Sequence, residues 1–219
     1  MVFMYSLLLD TSSNRSLVSI NKNDAPLFFE HLCFEKDVSS HLFLSIQTLL
    51  KKAAISIKDL SYISVGTGPG SYTGIRIGVA AIKAIAYGLN IPMIGFCSLM
   101  CFIPSLCGPF LSILDAKSGG LYFIEGKKIK ENVFYITKPA VISIEESKKE
   151  LLKKDCLIVS PHISQIKERL SLDTNKYLDS YPDAKHLARL SFEKHQNKKF
   201  TLSDKLQLSY LRCPKPIAL

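Results

Sequence analysis

The chain has 219 residues, of which 47% are hydrophobic and 21% are charged, and its formal net charge at pH 7 is +9. These proportions exclude the polar, highly charged class of disordered protein and supply enough apolar side chains for a buried core. No apolar stretch approaches the roughly 20 residues of a membrane-spanning helix, and the apolar start has neither a basic leader nor a cleavage pattern. We therefore expect a cytoplasmic protein that does not enter a membrane.

The first half of the chain predicts an α/β unit. Short apolar runs rich in β-forming residues alternate with polar turns, and apolar residues at helical spacing follow. In chain order, the predicted elements are strands Tyr5–Leu9, Ser16–Ile20 and Leu27–Phe34, a helix from Ser39 or Ser40 to about Ala54, a strand Tyr62–Gly66, a helix Ser71–Tyr87 ending near Gly88, and a strand Ile91–Phe96. We expect the first three strands to form an antiparallel meander.

The second half begins a similar pattern, because Leu111–Asp115, like Leu7–Asp10, is an apolar strand that ends in aspartate at a turn. The predicted elements after it are a strand Leu121–Glu125, a helix from the Ser143-x-x-Glu146 capping box to about Lys154, a strand Cys156–Ser160, and helices Ile163–Leu170 and Ala184–Lys198. We interpret the chain as a first lobe of residues 1–104 and a second, degenerate lobe of residues 105–219. The aspartate repeat alone leaves coincidence open, since aspartate favours turns generally.

A glycine-rich segment carries the strongest signal: Gly66-Thr67-Gly68-Pro69-Gly70-Ser71-Tyr72-Thr73-Gly74-Ile75-Arg76-Ile77-Gly78. It lacks the Gly-Lys-Ser/Thr of a Walker loop and the glycine spacing of a dinucleotide fingerprint. A strand-to-helix turn explains the first glycines, but Gly74 and Gly78 lie within the helix and each disfavour it by about 1 kcal/mol relative to alanine. Together with Gly70 and Ala81 they form a small-residue stripe, which predicts close approach of another helix. The spacing leaves open whether that helix is internal or belongs to another chain.

Residues 68–78 of this segment closely resemble the signature of the TsaB (YeaZ) family. Further landmarks extend the resemblance over almost the whole chain: Leu9-Asp10-Thr11-Ser12, Pro92-Met93-Ile94-Gly95, Ser98-Leu99, Leu114-Asp115-Ala116-Lys117-x-Gly119 and Tyr210-Leu211-Arg212. The resemblance implies an α/β fold of the actin-like, Hsp70-like ATPase superfamily (ribonuclease H-like), with two duplicated β-β-β-α-β-α lobes.

The resemblance also implies a role and partners. TsaB proteins are non-catalytic subunits in tRNA threonylcarbamoyladenosine biosynthesis, which bind TsaD, the transferase that acts on tRNA adenosine, and work with the small ATPase TsaE. It leaves open a homodimer without TsaD, tRNA contact through the complex, and a nucleotide at the interface. The expected partner-binding residues, beside the helix at 40–54, are Gly70, Ser71, Tyr72, Thr73, Gly74, Arg76, Gly78 and Ala81. Actin-like ATPases place aspartates at two turns, so the expected vestigial phosphate-binding residues are Asp10, Thr11, Ser12, Asp115 and Gly119.

Three positions depart from the family pattern. Val38 stands where histidine is common, Gly120 where glutamate is common, and Pro161-His162 where a glycine follows the strand. In nucleotide-binding members of the superfamily this last region faces the adenine ring, so we expect no independent ATP turnover and no catalytic residue. The alternatives are a stand-alone actin-fold ATPase or kinase that uses Asp10 and Asp115, and a glycoprotease-like hydrolase, after the older family label.

The cysteine, histidine and charge patterns indicate no further chemistry. The six cysteines form no Cys-x-x-Cys pair and the histidines lack zincin spacing, so we predict buried free thiols and no metal site. From Lys148 onward, lysine and arginine outnumber aspartate and glutamate fifteen to eight. A polyanion such as tRNA is one partner that this excess suits, but solvated lysines on helix surfaces are the favoured explanation, so charge alone does not establish RNA contact.

Overall fold

The structure is a computed structural model. It describes residues 3–33, 38–153, 155–171, 176–201, 205–209 and 211, with the backbone alone for residues 38–40, 118 and 150–153. The predicted landmarks Tyr210 and Arg212 lie outside the described residues, as do Phe34 and Lys154, where a predicted strand and helix were expected to end.

The first half follows the predicted order of elements. They are β1 (Tyr5–Asp10), β2 (Arg15–Lys22), β3 (Ala25–Cys33), α1 (Val38–Lys52), β4 (Leu60–Gly66), α2 (Tyr72–Leu89) and β5 (Met93–Phe96). The hydroxyl of Ser71 accepts a hydrogen bond from the Gly74 N–H and so caps the start of α2. Asn90, with φ of 54°, ends the helix two residues beyond the predicted Gly88.

The second half contains more strands than the sequence predicted. Its elements are β6 (Gly108–Asp115), β7 (Leu121–Ile129), β8 (Asn132–Tyr135), β9 (Ala140–Ile142), α3 (Ile144–Lys153), β10 (Leu157–Ser160), α4 (Ile163–Leu170), β11 (Tyr177–Asp179) and α5 (Ala184–Gln196). The predicted capping box before α3 is present, since the Ser143 hydroxyl accepts from the Glu146 N–H and the Glu146 carboxylate accepts from the Ser143 N–H.

The two halves form sheets of the same strand order. The first sheet is ordered β3-β2-β1-β4-β5, with β1, β2 and β3 antiparallel and β4 and β5 parallel to β1. The second is ordered β8-β7-β6-β10-β11, with β9 also paired to β7. If β9 is left out, the strands of each sheet can be numbered one to five along the chain, and both sheets then have the order 3-2-1-4-5. The α/β class and the duplicated architecture predicted from the resemblance are confirmed, whereas the division at residue 104 stays a prediction.

Three apolar layers hold these elements together. The first lies between one face of the first sheet and helices α1 and α2, and the second lies between the two sheets and includes Ala184 and Leu187 of α5. The third lies between the outer face of the second sheet and α4. Helix α5 also contacts β2, β3 and β5, so a helix from the end of the chain packs against the first sheet.

Among the described residues, no helix is long and apolar enough to cross a membrane. The five described cysteines are free thiols. Cys101 is buried as predicted, but Cys33 and Cys107 are exposed, because each lies at the end of an edge strand or in a loop rather than in a core layer.

Candidate functional site

Asp10 ends β1 with a carboxylate that the chain itself surrounds. Its Oδ1 accepts hydrogen bonds from the Ser12 N–H (3.0 Å) and the Ser12 hydroxyl (2.6 Å), and its Oδ2 accepts one from the Ser98 hydroxyl (2.7 Å). Asp10 is fully buried, and this burial raises the pKa of its carboxyl group against the opposing effect of the Ser12 and Ser98 hydrogen bonds. Both oxygens of the Asp10 carboxylate therefore already accept hydrogen bonds from residues of the same chain.

The glycine-rich turn packs against the same strand end. The Ser98 hydroxyl that donates to Asp10 also accepts from the Gly68 N–H (3.1 Å), and the Ser71 N–H donates to the Ser12 carbonyl (2.6 Å). A Cβ built on Gly66 would overlap Oδ2 of Asp10, so only glycine allows this approach. Gly68 has φ of 101°, a backbone conformation that also favours glycine. Two predicted sites, the turn at 10–12 and the start of α2, thus form one internal contact.

The predicted docking role of the small-residue stripe needs correction. Gly74 and Gly78 are buried, and a Cβ on either would overlap Thr11, at its carbonyl oxygen and its Oγ1 respectively. The Thr11 hydroxyl donates a hydrogen bond of 2.7 Å to the Gly74 carbonyl. The close approach that the stripe predicts therefore exists, but its partner is the turn after β1 and not another helix. Gly70 likewise lies against the backbone of Ser12, and Ala81 is buried in the first core layer.

The opposite side of α2 faces solvent. Of the predicted partner-binding residues, Ser71, Tyr72, Thr73 and Arg76 are exposed there, and the Arg76 guanidinium lies 3.9 Å from the centre of the Tyr72 ring. Further exposed residues on this side of the adjacent helices α1 and α2 were not among the predicted partner-binding residues: Phe43, Leu44, Ala80, Ala84 and Tyr87. These residues define what we call the α1–α2 face. Whether a partner binds it stays a prediction.

Asp115 ends β6 at the turn equivalent to Asp10, and an arginine from the same chain binds it. Arg169 of α4 forms an ion pair with the Asp115 carboxylate and also donates to the Lys117 carbonyl (2.7 Å). The Lys117 N–H donates to Asp115 Oδ1 (2.8 Å). The Asp115 side chain is only 7% exposed. Gly119 ends the short 3-10 turn that follows, with its N–H bonded to the Ala116 carbonyl.

The structure describes the side-chain surroundings of two departures from the family pattern, and it explains the one at Gly120. Gly120 has φ of 106°, and a Cβ there would overlap the Ile142 carbonyl oxygen, so no glutamate fits this position. Pro161 is buried beside His162, whose Nδ1 has no hydrogen-bond partner among the described residues. Burial and the nearby Lys117 lower the pKa of His162, which keeps its ring neutral at neutral pH. The third departure, Val38, is described only by its helical backbone.

These residues do not fit a metal-bound phosphate. A divalent cation requires carboxylate oxygens with free lone pairs, but Asp10 is enclosed by hydroxyl and N–H donors and Asp115 is neutralised by Arg169. Within the described ranges, no three or more His, Cys, Asp or Glu side chains cluster as metal ligands. The vestigial phosphate-binding role of the Asp10–Ser12 and Asp115–Gly119 turns stays a prediction.

Two residues that shape these turns were missing from the predicted site. Ser98 stood in a family landmark without any role, and a serine two residues beyond a strand gives no local signal of its hydrogen-bond partner. Arg169 lies 54 positions from Asp115, so only the packing of α4 against the second sheet brings them together.

Comparison with known proteins agrees with the fold. A sequence-family model described as TsaD, tRNA N6-adenosine threonylcarbamoyltransferase, matches residues 34–190. The tRNA threonylcarbamoyladenosine biosynthesis protein TsaB of Buchnera aphidicola subsp. Schizaphis graminum is 27% identical over 199 residues, covering 86% of this chain and 93% of that protein. The protein of the same name from Buchnera aphidicola subsp. Acyrthosiphon pisum is 24% identical over 213 residues, covering 94% of this chain and 96% of that protein.

A solved structure has the same fold. YeaZ from Pseudomonas aeruginosa superposes with a TM-score of 0.82 at 18% sequence identity, covering 95% of this chain and 100% of that one. Since the superposition extends over both sheets, the likeness includes the whole two-sheet architecture.

Proposed function

Because this chain belongs to the TsaD family of tRNA N6-adenosine threonylcarbamoyltransferases, in its TsaB (YeaZ) group, we propose that it serves tRNA threonylcarbamoyladenosine biosynthesis as a non-catalytic subunit. In this proposal it binds a TsaD-type catalytic subunit and acts together with a TsaE-type ATPase. The similar proteins from Buchnera are named for the same biosynthesis. The free thiols of the described cysteines suit action in the reducing cytoplasm.

The observation that carries the non-catalytic role is the state of the two turn aspartates. Asp10 accepts from Ser12 and Ser98, and Asp115 pairs with Arg169, so each carboxylate is already occupied by donors of its own chain. An actin-fold ATPase or kinase that used these aspartates would need them free to hold a metal-bound phosphate. The geometry therefore favours a subunit that binds another protein and assists its catalysis. It disfavours a stand-alone ATPase.

The α1–α2 face is the surface that we assign to the TsaD-type subunit. It exposes aromatic and aliphatic side chains, among them Leu44 at 61% and Tyr87 at 81%, next to the small residues Ala80 and Ala84. Large apolar side chains beside small ones let two helix pairs approach closely. Without that subunit the same face is available for a homodimer. We propose that any tRNA contact is made through the complex.

A reconstituted modification reaction tests this role. Purified chain, TsaD-type and TsaE-type subunits and unmodified tRNA are combined with the threonylcarbamoyl-adenylate-forming step, and modified adenosine is quantified. We expect modification only when the chain is present, and ATP hydrolysis by the chain alone at the background rate. Modification that proceeds without the chain contradicts the proposal. ATP turnover that follows the chain through gel filtration and is abolished by Asp10→Asn or Asp115→Asn favours the stand-alone ATPase instead.

A further inference from the structure

The β7–β8 hairpin in the second lobe carries apolar side chains on an outward face. In its antiparallel register Lys127 lies opposite Phe134, and the Ile136 N–H continues the ladder by bonding to the Glu125 carbonyl. Side chains two residues apart on a strand share a face. We call the outward side of this hairpin, formed by Lys127, Ile129, Phe134 and Ile136, the hairpin face. Phe134 is 54% exposed and Ile136 is 65% exposed, so this face is not part of a core layer.

The side chains on the opposite side of the hairpin contact other parts of the same chain. Val133 and Tyr135 pack against the core layer between the two sheets, and the Lys128 ammonium donates to the carbonyls of Pro104 (2.7 Å) and Ser105 (3.2 Å). The hairpin is therefore held in one orientation. Its outward face is preorganised, which lowers the entropy lost when a partner binds.

A helix is the element that this face would accept. Phe123 lies earlier on the same side of β7 and packs in the layer beneath α4, together with Ile142. The covering layer of the described chain ends before the hairpin face, so the sheet continues beyond its own helices. A sheet face is stabilised by an apolar helix stripe laid across it. The occupant with the matching shape is an amphipathic helix.

The charges around the hairpin face select the kind of helix. Lys127, Lys130 and Lys138 are exposed, and none of them forms an ion pair with another residue in the described part of the chain. Glu131, at the tip of the hairpin, is bound by Lys185. Glu125 also lies on this side of β7 and is half-buried, so with three exposed lysines the border of the apolar residues keeps a net positive charge, which attracts a partner with acidic flanks.

Two other occupants are disfavoured by the same charges. A second copy would place lysines opposite lysines, because a two-fold contact joins a patch to itself. The last residues of the chain, 212–219, are the other occupant to consider. They include Arg212, Lys215 and two prolines but no aspartate or glutamate, so their sequence is neither acidic nor typical of a helix. We propose that the hairpin face docks an acidic amphipathic helix of a partner protein. This site is separate from the α1–α2 face and does not depend on the function assigned to it.

Two labelled peptides of about 14 residues test the proposal against the full chain by fluorescence anisotropy. Both have leucine at helical spacing, with glutamate at the flanking positions of one and lysine at those of the other. We expect the glutamate peptide to bind at least about tenfold more tightly at low salt, and its affinity to fall as salt rises. The combined variant Lys127→Glu, Lys130→Glu, Lys138→Glu should weaken its binding about tenfold or more, and Phe134→Ser should weaken it about fivefold.

A matched control is Lys58→Glu, which reverses an exposed lysine in the first lobe and should leave binding unchanged. Thermal melts establish whether each variant folds. If Phe134→Ser does not fold, the peptide affinity of the triple lysine variant tests the proposal by itself. Equal affinity for the two peptides, no binding of the glutamate peptide, or wild-type binding by the lysine variant overturns the proposal. So does a single-stranded RNA oligonucleotide that displaces the peptide and itself binds more weakly to Phe134→Ser, because the face would then be an RNA site.

Discussion

Ser98 donates a hydrogen bond of 2.7 Å from its hydroxyl to Oδ2 of Asp10, and so links the end of β5 to the end of β1 across 88 positions of sequence. The same hydroxyl accepts from the Gly68 N–H. One serine therefore connects the turn after β1 with the glycine-rich turn before α2. The arrangement keeps a fully buried carboxylate solvated by protein donors.

We predict that Ser98→Ala destabilises the fold, since it removes a donor from the buried Asp10 carboxylate and an acceptor from Gly68. Loss of a hydrogen bond to a charged group costs about 1.5 to 3 kcal/mol. The matched control is Ser64→Ala, because Ser64 is also buried on the first sheet but its hydroxyl has no partner among the described residues. Urea unfolding should show a clear loss for the first variant and little for the second. Similar losses of unfolding free energy in the two variants would mean that the hydrogen bond from Ser98 to Asp10 does not stabilise the fold.

The glycines of α2 should differ sharply in their tolerance of a methyl group. Gly74→Ala places a Cβ against the Thr11 carbonyl, whereas Gly88→Ala meets nothing within 4 Å. We expect Gly74→Ala to lose about 1 to 3 kcal/mol of unfolding free energy by overpacking, and Gly88→Ala to gain up to about 1 kcal/mol from helix propensity. The larger Gly78→Leu should fail to fold. A folded Gly78→Leu protein with normal stability would contradict the internal packing of the stripe.

Local patterns were sufficient to predict some of these features from the sequence. The start of α2 near Ser71 and the close approach at Gly74 follow from neighbouring residue types. Strands β8, β9 and β11 were missed because their three or four residues are too few to show a period. The partner of the glycine stripe could not be predicted, because small residues indicate that a backbone comes close but not which one.

Arg169→Ala should weaken the second lobe, because it leaves the Asp115 carboxylate, 7% exposed, with only the exposed Lys117 ammonium at 4.0 Å as a cation. Arg169 is itself 28% exposed, so solvent screens part of the effect, and we expect a loss of about 1 to 3 kcal/mol. Lys185→Ala breaks the ion pair with Glu131, in which both side chains are 74% exposed, and should have no measurable effect. The comparison is made by chemical unfolding at pH 7. An equal effect of the two substitutions would mean that Asp115 does not depend on Arg169.

His186 should make the protein less stable in acid. Its Nε2 lies 2.9 Å from the Tyr135 hydroxyl, which donates to the Met100 carbonyl, and burial lowers the pKa of His186 from 6.5 to about 4. Between these values the unfolded chain binds a proton that the folded chain does not, so stability is greatest above pH 6.5 and falls as the pH drops toward 4. The shift corresponds to on the order of 3 kcal/mol.

The test is the unfolding free energy of the wild type and His186→Gln at pH 7 and pH 4. Both will lose stability in acid, because burial also lowers the pKa values of His162 and His195. The loss should be smaller in the variant by up to the amount assigned to His186. Parallel pH profiles would show that His186 does not titrate in this way.

The last prediction concerns the partner surface, which we propose lies on the exposed side of α2, opposite the buried glycine stripe. Ala80 is exposed on the α1–α2 face, so Ala80→Glu puts a long charged side chain where we expect a helix of the TsaD-type subunit to pack. Burying an unpaired charge opposes association, and affinity should fall by about tenfold or more while the unfolding free energy changes little. The control Gln165→Glu adds one negative charge at an exposed position of α4 in the second lobe and should leave affinity unchanged. Calorimetric titration with the TsaD-type subunit measures both. If Ala80→Glu folds and binds like the wild type, the α1–α2 face is not the docking surface, and the subunit must use another part of the molecule.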